Sequence, residues 1–88
     1  MTFRVMDEPV VFEGRGLALF VNEDNGCRFF DGCRIVDIFG REHVVDRVTL
    51  QEDITCLFLR GGDAEYFGRL FRNVLVDATL FTLAEEAR

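Results

Sequence analysis

Apolar and polar residues alternate along this chain in short runs, and glycine, asparagine and aspartate stand between the runs. Alternation with a period of two is the signature of strands, in which successive side chains point to opposite faces. The first run, Phe3 to Met6, is broken by Asp7-Glu8-Pro9, whose proline cannot donate to a central ladder, and Val10 to Glu13 resumes it. Gly14-Arg15-Gly16 then interrupts the pattern, as glycines do at a bulge or a barrel corner. Leu17 to Val21 is apolar at every position and predicts a central strand covered on both faces.

Asn25-Gly26 and Asp31-Gly32 tolerate the positive φ angles of tight turns, so the chain is expected to reverse between Asn22 and Gly26 and again at Asp31-Gly32. Cys27 to Phe30 fits a short strand between these turns, and Cys33 to Phe39 a full one that ends at Gly40-Arg41-Glu42. Val44 to Leu50 and Ile54 to Leu59 read as two further strands. Asp63 can cap a helix near 63–72, where Ala64, Phe67, Phe71 and Val74 recur at helical spacing, against about 1 kcal/mol for a glycine at position 68. A closing strand from Val74 to Leu83 and a polar tail from Ala84 to Arg88 complete the expected order, a small all-β barrel in one domain over residues 1–83.

Composition narrows the chemistry. The 88 residues are 49% hydrophobic and include ten Phe, enough to fill a small barrel and leave aromatic surface for a partner or a second copy. Sixteen acidic against ten basic residues give a net charge of −6, which repels polyanions and disfavours nucleic acid as a stand-alone ligand. The chain has no Lys, no Ser and no Trp, so a serine triad and a lysine Schiff base are excluded. Cys27, Cys33 and Cys56 are an odd set without a C-x-x-C pair, and with His43 they lack the paired spacing of zinc ligands. Glu23-Asp24 and Glu52-Asp53 read as solvated turn acids. No stretch reaches the roughly 20 apolar residues of a membrane span, and Met1-Thr2-Phe3-Arg4 lacks a signal-peptide core. The expectation is a cytoplasmic, non-catalytic protein with no cofactor, metal or nucleotide.

The candidate site residues are aromatic and cationic. Adjacent strand residues face opposite ways, so either one of Phe29 and Phe30 points outward as an anchor, ringed by Arg28 and Arg34, or the segment bends and both rings enter the core. Arg15, flanked by glycines, either presents its guanidinium to a partner or pairs with a neighbouring carboxylate. Phe67 and Phe71 are expected to plug one end of the barrel.

Phe3, Phe12-Glu13-Gly14-Arg15-Gly16-Leu17-Ala18, Gly26, Asp31-Gly32-Cys33-Arg34-Ile35, Leu59-Arg60-Gly61 and Thr79-Leu80, in this order from about Phe3 to Phe81, resemble the second domain of translational GTPases such as elongation factor Tu. The resemblance implies a closed antiparallel barrel of roughly six to eight strands, a closure that removes exposed edges. It implies docking rather than catalysis, since in those factors the barrel packs on the GTPase domain and touches transfer RNA or ribosome. The chain departs from the pattern in its longer 62–73 segment and its acidity, and it lacks a phosphate-binding loop. Two functions stay open: a module that binds another protein or itself, and a ribosome- or RNA-associated accessory factor with Arg15, Arg28, Arg34 and Arg60 on one side.

Overall fold

The computed structural model describes residues 1–22 and 27–84. Within them the chain forms seven strands and one helix: β1 (Thr2–Arg4), β2 (Val10–Phe12), β3 (Gly16–Asn22), β4 (Arg34–Val36), β5 (Glu42–Gln51), β6 (Ile54–Leu59), α1 (Ala64–Arg72) and β7 (Leu80–Leu83). The strands make one antiparallel sheet in the order β1-β7-β4-β5-β6-β3-β2. The ten-residue β5 belongs to both halves, pairing β4 through its first residues and β6 through the rest. Its register shifts between Val45 and Arg47, so Asp46 is the extra residue of a bulge, which sharpens the twist where the sheet bends.

The ladders do not close the sheet. The chain just after β1 meets β3, the strand next to the far end, at an isolated bridge, Val5 to Val21, supported by the Met6 N–H donating to the Phe20 carbonyl at 2.8 Å. Beyond that bridge the chain kinks at Asp7-Glu8-Pro9 and returns to β3 as β2, which among the described residues has β3 as its one neighbour in the sheet.

One face of the curled sheet is the core. Phe3, Leu17, Leu19, Ile35, Val45, Leu57 and Phe81 are buried there, and α1 adds Phe67 and Leu70. Asp63 caps α1, its carboxylate accepting the N–H groups of Glu65 (3.0 Å) and Tyr66 (3.1 Å). Burying Phe67 and Leu70 contributes about 1.5–3 kcal/mol each, enough to hold a nine-residue helix that is too short to stand alone in water. Phe67 therefore sits in the core, with the half-buried Phe71 packed against it.

Three expected strands are corrected. Residues 27–30 form no strand, because Cys27 and Phe29 turn toward β1 instead of pairing with a neighbour. The expected Cys33 to Phe39 strand is only Arg34–Val36, since Asp37 takes the Phe39 and Arg41 N–H groups with its side chain and starts a turn. The expected Val74 to Leu83 strand is only Leu80–Leu83; Asn73 and Asp77 bind the N–H groups of Leu75 and Thr79 and turn the intervening chain. The Ala84 N–H reaches the Arg34 carbonyl at 2.9 Å and so is tied to β4, while residues 23–26 and 85–88, with the Asn25-Gly26 turn and most of the expected tail, lie outside the described residues.

Candidate functional site

The sheet aligns two of the four arginines singled out from sequence. Arg34 on β4 lies opposite Val44 on β5, and the Arg60 N–H donates to the Val44 carbonyl at 2.9 Å from the other side. Arg15 stands apart from them in the β2–β3 turn, its N–H bonded to the Phe12 carbonyl. Each strand is about 4.8 Å from the next, which separates Arg34 from Arg60 by roughly 10 Å. The row is matched by acids. Arg60 donates through Nε (3.1 Å) and Nη2 (3.0 Å) to Asp46, and Arg34 lies 3.9 Å from Glu42. Such exposed pairs contribute at most about 1 kcal/mol each, but they neutralise the row. Among the described residues Arg15 has no side-chain partner.

Phe29 and Phe30 part as the alternation predicts, although without a strand. Phe29 packs edge-on against Phe3 at 4.9 Å, whereas Phe30 is 44% exposed. Arg28, between Cys27 and Phe29, is exposed on the segment that lies over β1 and belongs to neither the row nor the sheet. Burial raises the Cys27 thiol above its usual value, keeping it protonated.

The densest polar constellation was not foreseen from sequence. Asp37 is buried and accepts four hydrogen bonds: from the N–H groups of Phe39 (2.9 Å) and Arg41 (3.0 Å) at Oδ1, and from His43 Nε2 (2.9 Å) and the Tyr66 hydroxyl at Oδ2. Burial pushes its carboxyl up, and these bonds more than offset that, holding it below the ordinary carboxylate value. Burial and the bond to Asp37 push the Tyr66 hydroxyl up to about 12, so it stays a donor. The Arg41 guanidinium lies 4.2 Å from the centre of the Tyr66 ring. Arg41, His43 and Tyr66 wall a cleft of about 160 Å³ with Arg60, Gly61 and Gly62, and Asp37 lies behind it. The geometry of this group fastens α1 to the β4–β5 turn. The signal in the sequence was a carboxylate inside the apolar run Ile35-Val36-Asp37-Ile38-Phe39, where a buried acid requires partners.

β2 offers a different kind of surface. Val10, Val11 and Phe12 are 42%, 58% and 38% exposed. Phe12 lies across the outer side of the sheet on Phe20 (6.2 Å) and Phe58 (5.8 Å), above the buried Ala18 and Cys56, and Arg47 covers the Phe58 ring at 5.2 Å. The outside of the sheet thus carries a second apolar cluster ending at an open strand.

No family model, curated protein or solved structure matches this chain. Its function is therefore argued from these surfaces. Among the described residues no His, Cys, Asp and Glu side chains gather as a metal site, and no helix is long and apolar enough to cross a membrane.

Proposed function

We propose that this chain is a non-catalytic interaction module, a small barrel that binds another polypeptide or a second copy of itself along β2. The observation that carries this reading is β2 itself: three consecutive apolar residues, all exposed, on a strand whose outer backbone edge has no neighbour in the sheet. Such an edge accepts an extended chain by main-chain hydrogen bonding, with side-chain contacts supplying selectivity. The Val5 to Val21 bridge supports a barrel, and the sequence pattern supports kinship of that barrel with the second domain of translation factors. The odd set of three cysteines, without a C-x-x-C pair, supports a reducing compartment such as the cytoplasm. The neutralised arginine row favours a protein ligand over a polyanion.

Affinity capture of the tagged protein at low and high salt, compared with a Val11→Pro variant, tests this. Salt-resistant binding that Val11→Pro abolishes supports the module. Capture of RNA or ribosomal components that is lost at high salt and in Arg15→Ala/Arg34→Ala/Arg60→Ala, but persists in Val11→Pro, overturns it in favour of an accessory factor.

A further inference from the structure

We infer that the cleft between α1 and the start of β5 binds a short hydroxy acid, with the Arg41 guanidinium taking its carboxylate and Nδ1 of His43 accepting from its hydroxyl. This site does not depend on β2.

The imidazole is fixed by what lies behind it. Nε2 of His43 is 2.9 Å from Oδ2 of Asp37, an oxygen that also accepts the Tyr66 hydroxyl. Two N–H groups at Oδ1 complete a set of donors that favours the ionised carboxylate, which accepts and does not donate. Nε2 therefore carries a proton, and in the neutral ring Nδ1 is left as an acceptor. Nδ1 has no partner among the described residues, and no buried side-chain nitrogen or oxygen among them lacks one. Nδ1 is thus open to solvent, and the cleft is the space that His43 lines.

Donors stand on the other walls. The Arg41 guanidinium lies on the Tyr66 ring at 4.2 Å, and among the described residues it pairs with no carboxylate. Stacking occupies a face of the guanidinium and leaves its in-plane N–H groups for a ligand. The N–H groups of Gly61 and Gly62 donate to no acceptor among the described residues, and both residues line the cleft. Gly61 has φ +60°, and successive N–H groups beside a left-handed residue form a cradle for anionic oxygen.

Charge and size choose the ligand. Arg60 is held by Asp46, and Glu42 lies 3.9 Å from Arg34, so Arg41 is the unpaired cation of the wall. Asp63, which caps α1, and Asp37 behind the cleft add negative charge, so a phosphate dianion meets more repulsion here than a singly charged carboxylate. A hydroxyl donates to Nδ1 without adding a charge, whereas an ammonium would share the same small space with Arg41 and Arg60. The volume of about 160 Å³ is below the roughly 300–1,000 Å³ of sites for drug-sized molecules, which leaves room for a few heavy atoms.

NMR titration of the full chain with glycolate tests the site, with acetate, glycine and inorganic phosphate as comparison probes. The expected result is a saturable shift of the Gly61 and Gly62 amides and of the His43 and Tyr66 rings, with a Kd of roughly 0.1–10 mM. Glycolate should bind more tightly than the other three probes. The nitrogen-15 spectrum of the His43 ring should show the proton on Nε2 in the free protein, and Nδ1 as the nitrogen that moves on binding. Arg41→Gln keeps the backbone N–H that serves Asp37, so it should weaken glycolate about tenfold and leave amides outside the cleft in place. Arg15→Gln, which removes the same charge elsewhere, should bind as the parent does. No saturation up to about 100 mM, equal shifts with all four probes, or tighter binding of acetate, glycine or phosphate overturns the inference. A proton on Nδ1 in the free protein, or indifference to Arg41→Gln, overturns it as well.

Discussion

The hydroxyl of Tyr66 on α1 donates to Oδ2 of Asp37, the oxygen that also accepts His43 Nε2 from β5. One buried carboxylate thereby joins a turn, a strand and the helix that covers the core. Because the acceptor is charged and enclosed, Tyr66→Phe should destabilise the fold by about 1.5–3 kcal/mol, measured by urea unfolding. A change below about 0.5 kcal/mol would mean that α1 is held by Phe67 and Leu70 alone.

The same cluster predicts two pH limits. The Asp37 carboxyl titrates below its unfolded value, so it contributes stability above about pH 4 that is lost as pH falls through the folded value. Tyr66, raised to about 12, contributes stability that is fully present below about pH 10 and is lost as pH rises toward 12. Tyr66→Phe should flatten the alkaline limb of a stability-versus-pH curve, and Asp37→Asn the acid limb. An alkaline limb unchanged in Tyr66→Phe would contradict the assignment.

Backbone conformation supplies a pair of opposite effects. Glu52, in the two-residue loop between β5 and β6, has φ +56°, where a side chain is strained, so Glu52→Gly should stabilise by about 0.5–1 kcal/mol. At Gly62 the limit is space, because a Cβ would lie 2.8 Å from the Leu17 Cβ and 3.5 Å from that of Leu59. Gly62→Ala should cost about 1–3 kcal/mol. Thermal unfolding of both variants reads the two signs, and a stabilised Gly62→Ala would show that β3 and the 61–62 turn can separate without cost.

Phe29 and Phe30 should separate equally clearly. Replacing Phe29 by Ser removes its edge-on contact with Phe3 and should cost about 2–3 kcal/mol, whereas Phe30→Ser should stay within about 0.5 kcal/mol. Equal losses would place both rings in the core.

Strand and helix identities were legible wherever local pattern and tertiary demand coincide. Ile54–Leu59 is the strand expected, Asp63 caps the helix expected, and the uniformly apolar 17–21 run is covered on both sides, inside by the core and outside by the Phe12 cluster. Side chains that compete for the backbone hid the rest. Asp37, Asn73 and Asp77 each capture N–H groups that a strand would have used, which ended β4 early and delayed the start of β7, and periodicity does not register such capture. Of the candidate site, Arg34 and Arg60 were named from sequence, but their alignment and their neutralisation by Glu42 and Asp46 depend on register. The open β2 edge ran against an expected closure that removes edges. Its cause is the kink at Asp7-Glu8-Pro9, whose two-residue register offset carries the chain from β7 back onto β3 alone.

The pairing of β1 with β7, with Phe3 set against Phe81, also bears on how the protein is made. At a translation speed of about 5–20 residues per second, Phe3 emerges some 4–16 s before Phe81 does. Throughout that interval Phe3, Val5 and the β2 valines are nascent-chain surface, open to any chaperone that recognises short apolar segments. Folding of the whole sheet must then await the emergence of β7, the last of the described strands in chain order, whose neighbours β1 and β4 are both made before it.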